Sequence, residues 1–345
     1  METVENLIVG AGPAGLRAAQ VLADAGREVL VVEKHVEIGP KTCAGGLTLK
    51  TVRLLRELGL PETAGRTQMG QVAFAPGHPI VLDPEASLVV TLSRRELGRH
   101  QVAWSRAAGA EVRAGCTARE LDLPGRTAVV GGARMGWRHL IGADGSDSAV
   151  RRALGLPSPR VCFAAEYNLR GLRLEPLRVE CDRSLGGGYF WVFPHDDYTS
   201  VGAVASKHVV RPAALRAYLD ARLKRMRLPD HSEPLEGATL EVDYRGLHFA
   251  GGVHLAGDAA GVPSSLTAEG IYSALLTGEA VARRIVDPAS PSVRVARWLR
   301  VKRRHDRFAG VMRRPAALAI ALPVIDRLSR WPVARRSMAR WFLAG

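Results

Sequence analysis

Residues 5–33 read ENLIVGAGPAGLRAAQVLADAGREVLVVE, a strand, a glycine turn, a helix and a second strand in immediate succession. Leu7, Ile8 and Val9 form a short buried-strand pattern. Leu16, Ala19, Val21, Leu22 and Ala25 give the helix an apolar side, and Gly26 ends it. Gly10, Gly12 and Gly15 make GxGxxG, each with its own task. The first permits a tight turn, the second lets a pyrophosphate approach the backbone, and the third brings helix and strand close together. Free amides at the helix start, aided by the positive end of the helix dipole, suit phosphates. Glu33 closes the second strand where a ribose hydroxyl pair needs an acceptor. An acid there disfavours a 2′-phosphate and fits the ADP half of FAD or NAD.

Two later segments choose between these dinucleotides. HLIGADGSDSAVRRALG, 139–155, reads as a strand, an Asp144-Gly145 turn and a helix carrying Arg151 and Arg152. GGVHLAGDAAGVPSSLTAEGIYSALLTGEAVARRI, 251–285, has a strand, Gly257-Asp258, a loop and a long amphipathic helix starting near Gly270 and Ile271. Asp258 can meet the ribityl or pyrophosphate region of a longer cofactor, and the helix start can place amides beside an electron-rich ring. Either acid alone is also an ordinary turn or capping residue. It is the ordered set of three motifs that is specific.

With these motifs the chain resembles the glutathione-reductase-type FAD proteins in their p-hydroxybenzoate-hydroxylase-like branch, over roughly residues 4–290. The resemblance implies FAD held by Gly10, Gly12, Ala14, Gly15, Glu33, Lys34, Asp144, Gly145, Gly257, Asp258, Gly270 and Ile271. SRRELGRHQ, 93–101, is similar to the branch's FAD-contacting arginine at a helix start, and aligning Leu97 with the motif selects Arg94 over Arg95. No second GxGxxG is present for NADPH. GGARMG, 131–136, has another spacing and is expected to be a hairpin turn.

Within that branch GPKTCAGGLT, 39–48, resembles the Cys-Gly-Gly segment of geranylgeranyl reductases, and YFWVFPHDDYTSVGAV, 189–204, matches their YxWxFP signature. Strand alternation sends Tyr189, Trp191 and Phe193 to one face, an apolar wall for substrate with a phenol and an indole N–H able to orient it, and Phe190 and Val192 to the other. The resemblance makes Cys43 the candidate catalytic residue, with Gly45 and Gly46 beside the substrate. An isolated alkene cannot accept hydride without a proton arriving almost together, so the thiol is read as proton donor, redox partner or small wall atom. Cys116, Cys162 and Cys181 are assigned to packing. Departures from the family are Gly202-Ala203-Val204 where it has GxG, and Pro263, Ser265 and Ala268 in the loop after Asp258, where it has a proline nearer the flavin and a glycine before the acid that is Glu269 here.

The net charge of +14 is lopsided. Residues 294–345 hold 14 of the 48 Lys and Arg against two acids, Asp306 and Asp326, leaving the rest of the chain almost neutral. Nucleic acid is therefore not the expected partner of the body. No run is long enough to span a bilayer, and the nearest, Pro315 to Ile325, is broken by Pro323. Arginine then alternates with Leu328, Trp331, Val333, Met338, Trp341 and Phe342, which suits either helices on an anionic membrane surface or helices packed on the body with a solvated basic face. Four scattered cysteines without CxxC or metal-ligand spacing, after a strand-like start, lead to an expected cytoplasmic setting on the inner membrane face, without disulfides or bound metal.

The expected architecture is α/β: an FAD-binding Rossmann-like domain from residues 1–67, 93–158 and 240–290, an inserted substrate-binding β-sheet domain from 68–92 and 159–239, and a basic amphipathic helical segment over 291–345. A helix from Arg211 to Arg227 should cover the second sheet. The expected activity is FAD-dependent reduction of a prenyl lipid or prenyl diphosphate by a monomer, with NAD(P)H or reduced ferredoxin as electron donor. The alternatives are an NAD(P)H-using aromatic or polyketide monooxygenase and a non-catalytic flavin-bearing protein at the membrane.

Overall fold

In the computed structural model Leu7 and Ile8 are fully buried at the centre of a sheet built on the strand Glu2–Val9. That strand pairs in parallel with Val29–Glu33 on one side and Ala133–Gly142 on the other. Glu111–Ala114 extends the sheet beyond Val29–Glu33, and Val253–Leu255 followed by His248–Phe249 extends it beyond Ala133–Gly142. Helices cover it, so its central strands are apolar on both faces instead of alternating. The structure describes residues 1–75, 78–228 and 232–342. The last three residues of the basic tail, and 76–77 and 229–231 of the segments expected to bind substrate, lie outside them.

The helices in chain order are α1 (Pro13–Asp24), α2 (Leu49–Glu57), α3 (Arg94–Ala107), α4 (Ala149–Ala153), α5 (Pro212–Arg225), α6 (Ile271–Val286), α7 (Val293–Met312), α8 (Pro315–Ser329) and α9 (Pro332–Phe342). Gly131 and Gly132, both at positive φ, make the expected hairpin turn between Thr127–Val130 and Ala133–Gly142.

A seven-stranded sheet draws its strands from residues 71–80 and 161–241. At its centre Val161–Arg170, Tyr198–Ser206 and Tyr189–Pro194 are antiparallel neighbours. Phe190 and Val192 point to one face, where α5 packs Leu215, Leu219 and Leu223 against them. Tyr189, Trp191 and Phe193 point to the other, towards Ala44 and Ala268. A third sheet, which periodicity did not announce, joins Gly46–Thr48, Leu88–Thr91 and Arg66–Met69 and anchors the end of the cysteine loop.

The basic tail packs on the body. Along α7 Val295, Trp298, Lys302, His305, Ala309 and Met312 are buried, and α8 buries Leu318 and Leu322. Pro323 does not end α8. The carbonyl it leaves without an intrahelical donor, Ala319 O, accepts instead from Arg183 Nη2 at 3.1 Å.

Candidate active site

The GxGxxG turn is shaped as a cradle. At Gly10, φ is +102° and a Cβ would stand 2.4 Å from Ala143 O; at Gly15 it would stand 2.0 Å from Gly10 O. Gly12 is the opposite case, with nothing within 4 Å of an added Cβ. The turn thus abuts the strand end before Asp144 while its middle opens to free space. Ala14 is buried on α1, and Gly257 packs beside it.

Glu33 holds the turn from the neighbouring strand, accepting from Ala11 N at 2.9 Å and His35 N at 3.0 Å. Lys34 beside it is exposed. At the start of α4, whose N-cap is Ser148, Asp144 accepts from Ala149 N at 2.6 Å. Its other oxygen, Oδ1, is buried without a partner, and burial pushes the carboxyl above its ordinary value. Gly145 follows at φ +80°. Asp258 lies across from this turn, accepting from Ser146 Oγ at 3.3 Å and Lys41 Nζ at 2.8 Å. Gly270 caps α6 next to Asp258, and Ile271 opens the helix. Arg151, fully buried, ties the two acid loops together by donating to Ala259 O at 3.0 Å and Asp243 O at 2.9 Å.

Arg94 starts α3, and its Nε is buried without a partner, whereas Arg95 is taken up by Glu37. Orphaned polar atoms are costly unless something completes them. Asp144 Oδ1, Arg94 Nε and the open face of Gly12 are therefore the features a bound dinucleotide would satisfy, and the residues present fit FAD. Gly12 with the α1 amides would take the pyrophosphate, and Glu33 the ribose.

The cysteine loop is tied down at four places. Lys41 reaches Asp258, Cys43 N donates to Glu166 Oε1 at 2.7 Å, His195 Nε2 donates to Ala44 O at 2.9 Å, and Gly46 enters the third sheet. Cys43 Sγ accepts from Gly45 N at 3.5 Å. Phe193 packs over Gly46, and the His195 ring lies against Gly45, stacked on Tyr198 with centroids 4.2 Å apart. The loop thus spans from Asp258 to the aromatic face.

That face differs from a flat wall with free donors. Tyr189 and Trp191 are tilted by 60°, Tyr189 OH donates to Thr267 O at 2.7 Å, and Trp191 Nε1 donates to Ser200 Oγ at 2.8 Å. Both polar tips are committed, so the face offers ring surface instead of donors. Burial raises the Cys162 thiol to about 11 and the Cys181 thiol to about 12.

Glu166, Lys41 and His195 escaped the sequence reading. Glu166 is 1 % exposed and accepts from both Cys43 N and Ser200 Oγ, the latter at 2.6 Å. The available signal was a single acid in the middle of VCFAAEYNLR, facing a strand of small and apolar residues.

The FAD binding domain family matches residues 3–286. The chain belongs to it. This FAD-dependent oxidoreductase is 31% identical over 331 residues to digeranylgeranylglycerophospholipid reductase 1 of Methanopyrus kandleri, covering 88% of this chain and 85% of that one. A solved geranylgeranyl bacteriochlorophyll reductase-like protein of Thermoplasma acidophilum superposes with a TM-score of 0.80 at 21% identity, over 99% of this chain and 96% of that one. An anhydrotetracycline hydroxylase of Streptomyces rimosus gives 0.69 at 22%, over 99% and 76%. Both structures speak to the fold alone, which carries reductase and hydroxylase chemistry alike.

Proposed function

We propose that the protein saturates isolated double bonds of a geranylgeranyl chain in a membrane lipid, with NAD(P)H or reduced ferredoxin as the electron source. The observation that carries this reading is the apposition of the Cys43 loop, the Asp258 turn and the face bearing Tyr189, Trp191 and Phe193. Similarity to the Methanopyrus reductase over most of both chains supports the same substrate class. Bound and reduced, FAD supplies a hydride. The chain's own part is to seat a flexible apolar chain on ring faces with no free donors, exclude water, and present a proton source beside the acceptor carbon. Cys43 is the proton source in this reading.

A mass increase in two-hydrogen steps on anaerobic incubation of the dithionite-reduced protein with a geranylgeranyl phospholipid is the expected result. An unchanged lipid mass, or an oxygen-dependent hydroxylated product, would overturn it.

Membrane association through the tail belongs to the same reading. On α8 Ile320, Val324 and Leu328 recur at helical spacing on the side facing solvent, followed by Trp331 and Val333, all exposed. Arg327, Arg330 and Arg336 lie among them, exposed as well. An apolar stripe rimmed by arginine is what an anionic bilayer surface accommodates.

A further inference from the structure

Glu166 is a buried acid that neither the cofactor cradle nor the aromatic face requires. It sits at Cα register with Gly202 and Glu236 in the middle of the substrate sheet. One carboxylate oxygen takes the backbone N–H of Cys43, and the other takes the hydroxyl of Ser200, which in turn accepts from the Trp191 indole. A continuous chain of hydrogen bonds thus runs from an aromatic residue of the substrate face to the cysteine loop. The arrangement works in both charge states. As a carboxylate, Glu166 accepts twice; as an acid, it still accepts from Cys43 N and turns its own O–H towards Ser200 Oγ.

We propose that Glu166 is the positioning residue of the Cys43 loop and that its charge state governs the reactivity of the Cys43 thiol. This deepens the reductase reading by naming the group that holds the Cys43 loop in place and sets the charge beside it. An ionised carboxylate on the Cys43 amide and a thiolate on the same residue are like charges that repel, which couples the two groups. Removing that negative charge relieves the repulsion.

Burial lifts the Glu166 carboxyl from 4.5 to about 7, against the opposing hydrogen bonds from Ser200 and Cys43. The charged and titratable groups around it are few. Glu236 stands opposite on the adjoining strand and raises it slightly further, Tyr198 lies on the other neighbouring strand, and Cys43 meets it from the loop side, with His195 bonded to the next loop residue, Ala44. Burial lowers His195, whose Nε2 proton is committed to Ala44 O, so the ring stays neutral at pH 7. A change in this cluster near neutrality therefore belongs to Glu166.

The test is the pH profile of Cys43 alkylation by iodoacetamide in the FAD-loaded protein, read on the Cys43 peptide by mass spectrometry. Cys162, buried and with its thiol pushed up by burial, serves as a slow internal reference. Wild type should show a second inflection near pH 7. Glu166→Gln, which keeps an acceptor for Cys43 N and a donor for Ser200, should lose that inflection and react on the order of tenfold faster at pH 8. Ser200→Ala removes a donor that favours the carboxylate, so it should move the inflection to higher pH. Wild-type and Gln profiles that run parallel would overturn the proposal, as would an inflection indifferent to Ser200. A Gln variant that fails to fold leaves the Ser200→Ala shift to decide. Turnover plays no part in the readout, so failure here and failure of the reductase reading remain distinct results.

Discussion

Gly10 and Gly12 stand two residues apart in one motif and serve opposite needs. Any side chain at Gly10 would drive into the Ala143 carbonyl, whereas one at Gly12 enters open space. Gly12→Val should therefore leave the apoprotein's melting temperature within a few degrees of wild type while abolishing FAD binding, measured by flavin fluorescence on reconstitution. Retained FAD would mean that the pyrophosphate lies elsewhere. Ala268 shows what a departure from the family costs. It occupies φ +52° where the resemblance calls for glycine, a conformation that charges an L-residue about 1 kcal/mol. The spacing of GxGxxG and the Asp-Gly turn was legible because local backbone geometry demands those residue types, and Arg94 only through the resemblance of its motif to the family's. Glu166 was not, because its partner lies 123 residues away.

At the scale of elements, α7 takes the second of the two arrangements its arginines allowed, packed on the body with a basic outer face. Its buried side clamps the loop after Asp258. Trp298 Nε1 donates to Val262 O at 3.0 Å, Ser264 meets His305, and Ser265 Oγ donates to Asp306 at 2.7 Å. Lys302, also buried, donates to Val242 O at 2.7 Å and to Asp306. Burial lowers the Lys302 ammonium while Asp306 supports it, and removing one member of such a pair strands the other. Lys302→Ala should cost about 3 to 5 kcal/mol in chemical denaturation and weaken FAD retention, since Asp306 also holds Ser265. Stability within 1 kcal/mol of wild type would show that water replaces the ammonium without penalty. Ser265, a departure by sequence, is in this way a contact between the flavin loop and the tail.

For the whole molecule, positive charge gathers in the C-terminal helices, where Ile320, Val324, Leu328, Trp331 and Val333 are also exposed. No single described helix is long and apolar enough to cross a bilayer; α7 and α8 would pass as a pair but meet at a bend of 113°. The proposed membrane association therefore rests on the exposed residues of α8. Replacing Ile320, Val324 and Leu328 together with Ser removes side chains that are already exposed, so the fold should persist. Each contributes about 1 to 2 kcal/mol when buried in lipid, and co-flotation with anionic vesicles should fall at least tenfold. Undiminished flotation would remove the tail from the reading. By itself the sequence determined the dinucleotide cradle, the α/β class, the two faces of the aromatic strand and the asymmetry of charge, because each follows from the conformational needs or periodicity of neighbouring residues. Tertiary structure alone decided that the Arg94 Nε is buried without a partner, that the tail grips the flavin loop, that the Tyr189 and Trp191 donors are spent, and that a carboxyl sits on the Cys43 amide. Those outcomes depend on which distant strands become neighbours and how much water their meeting excludes.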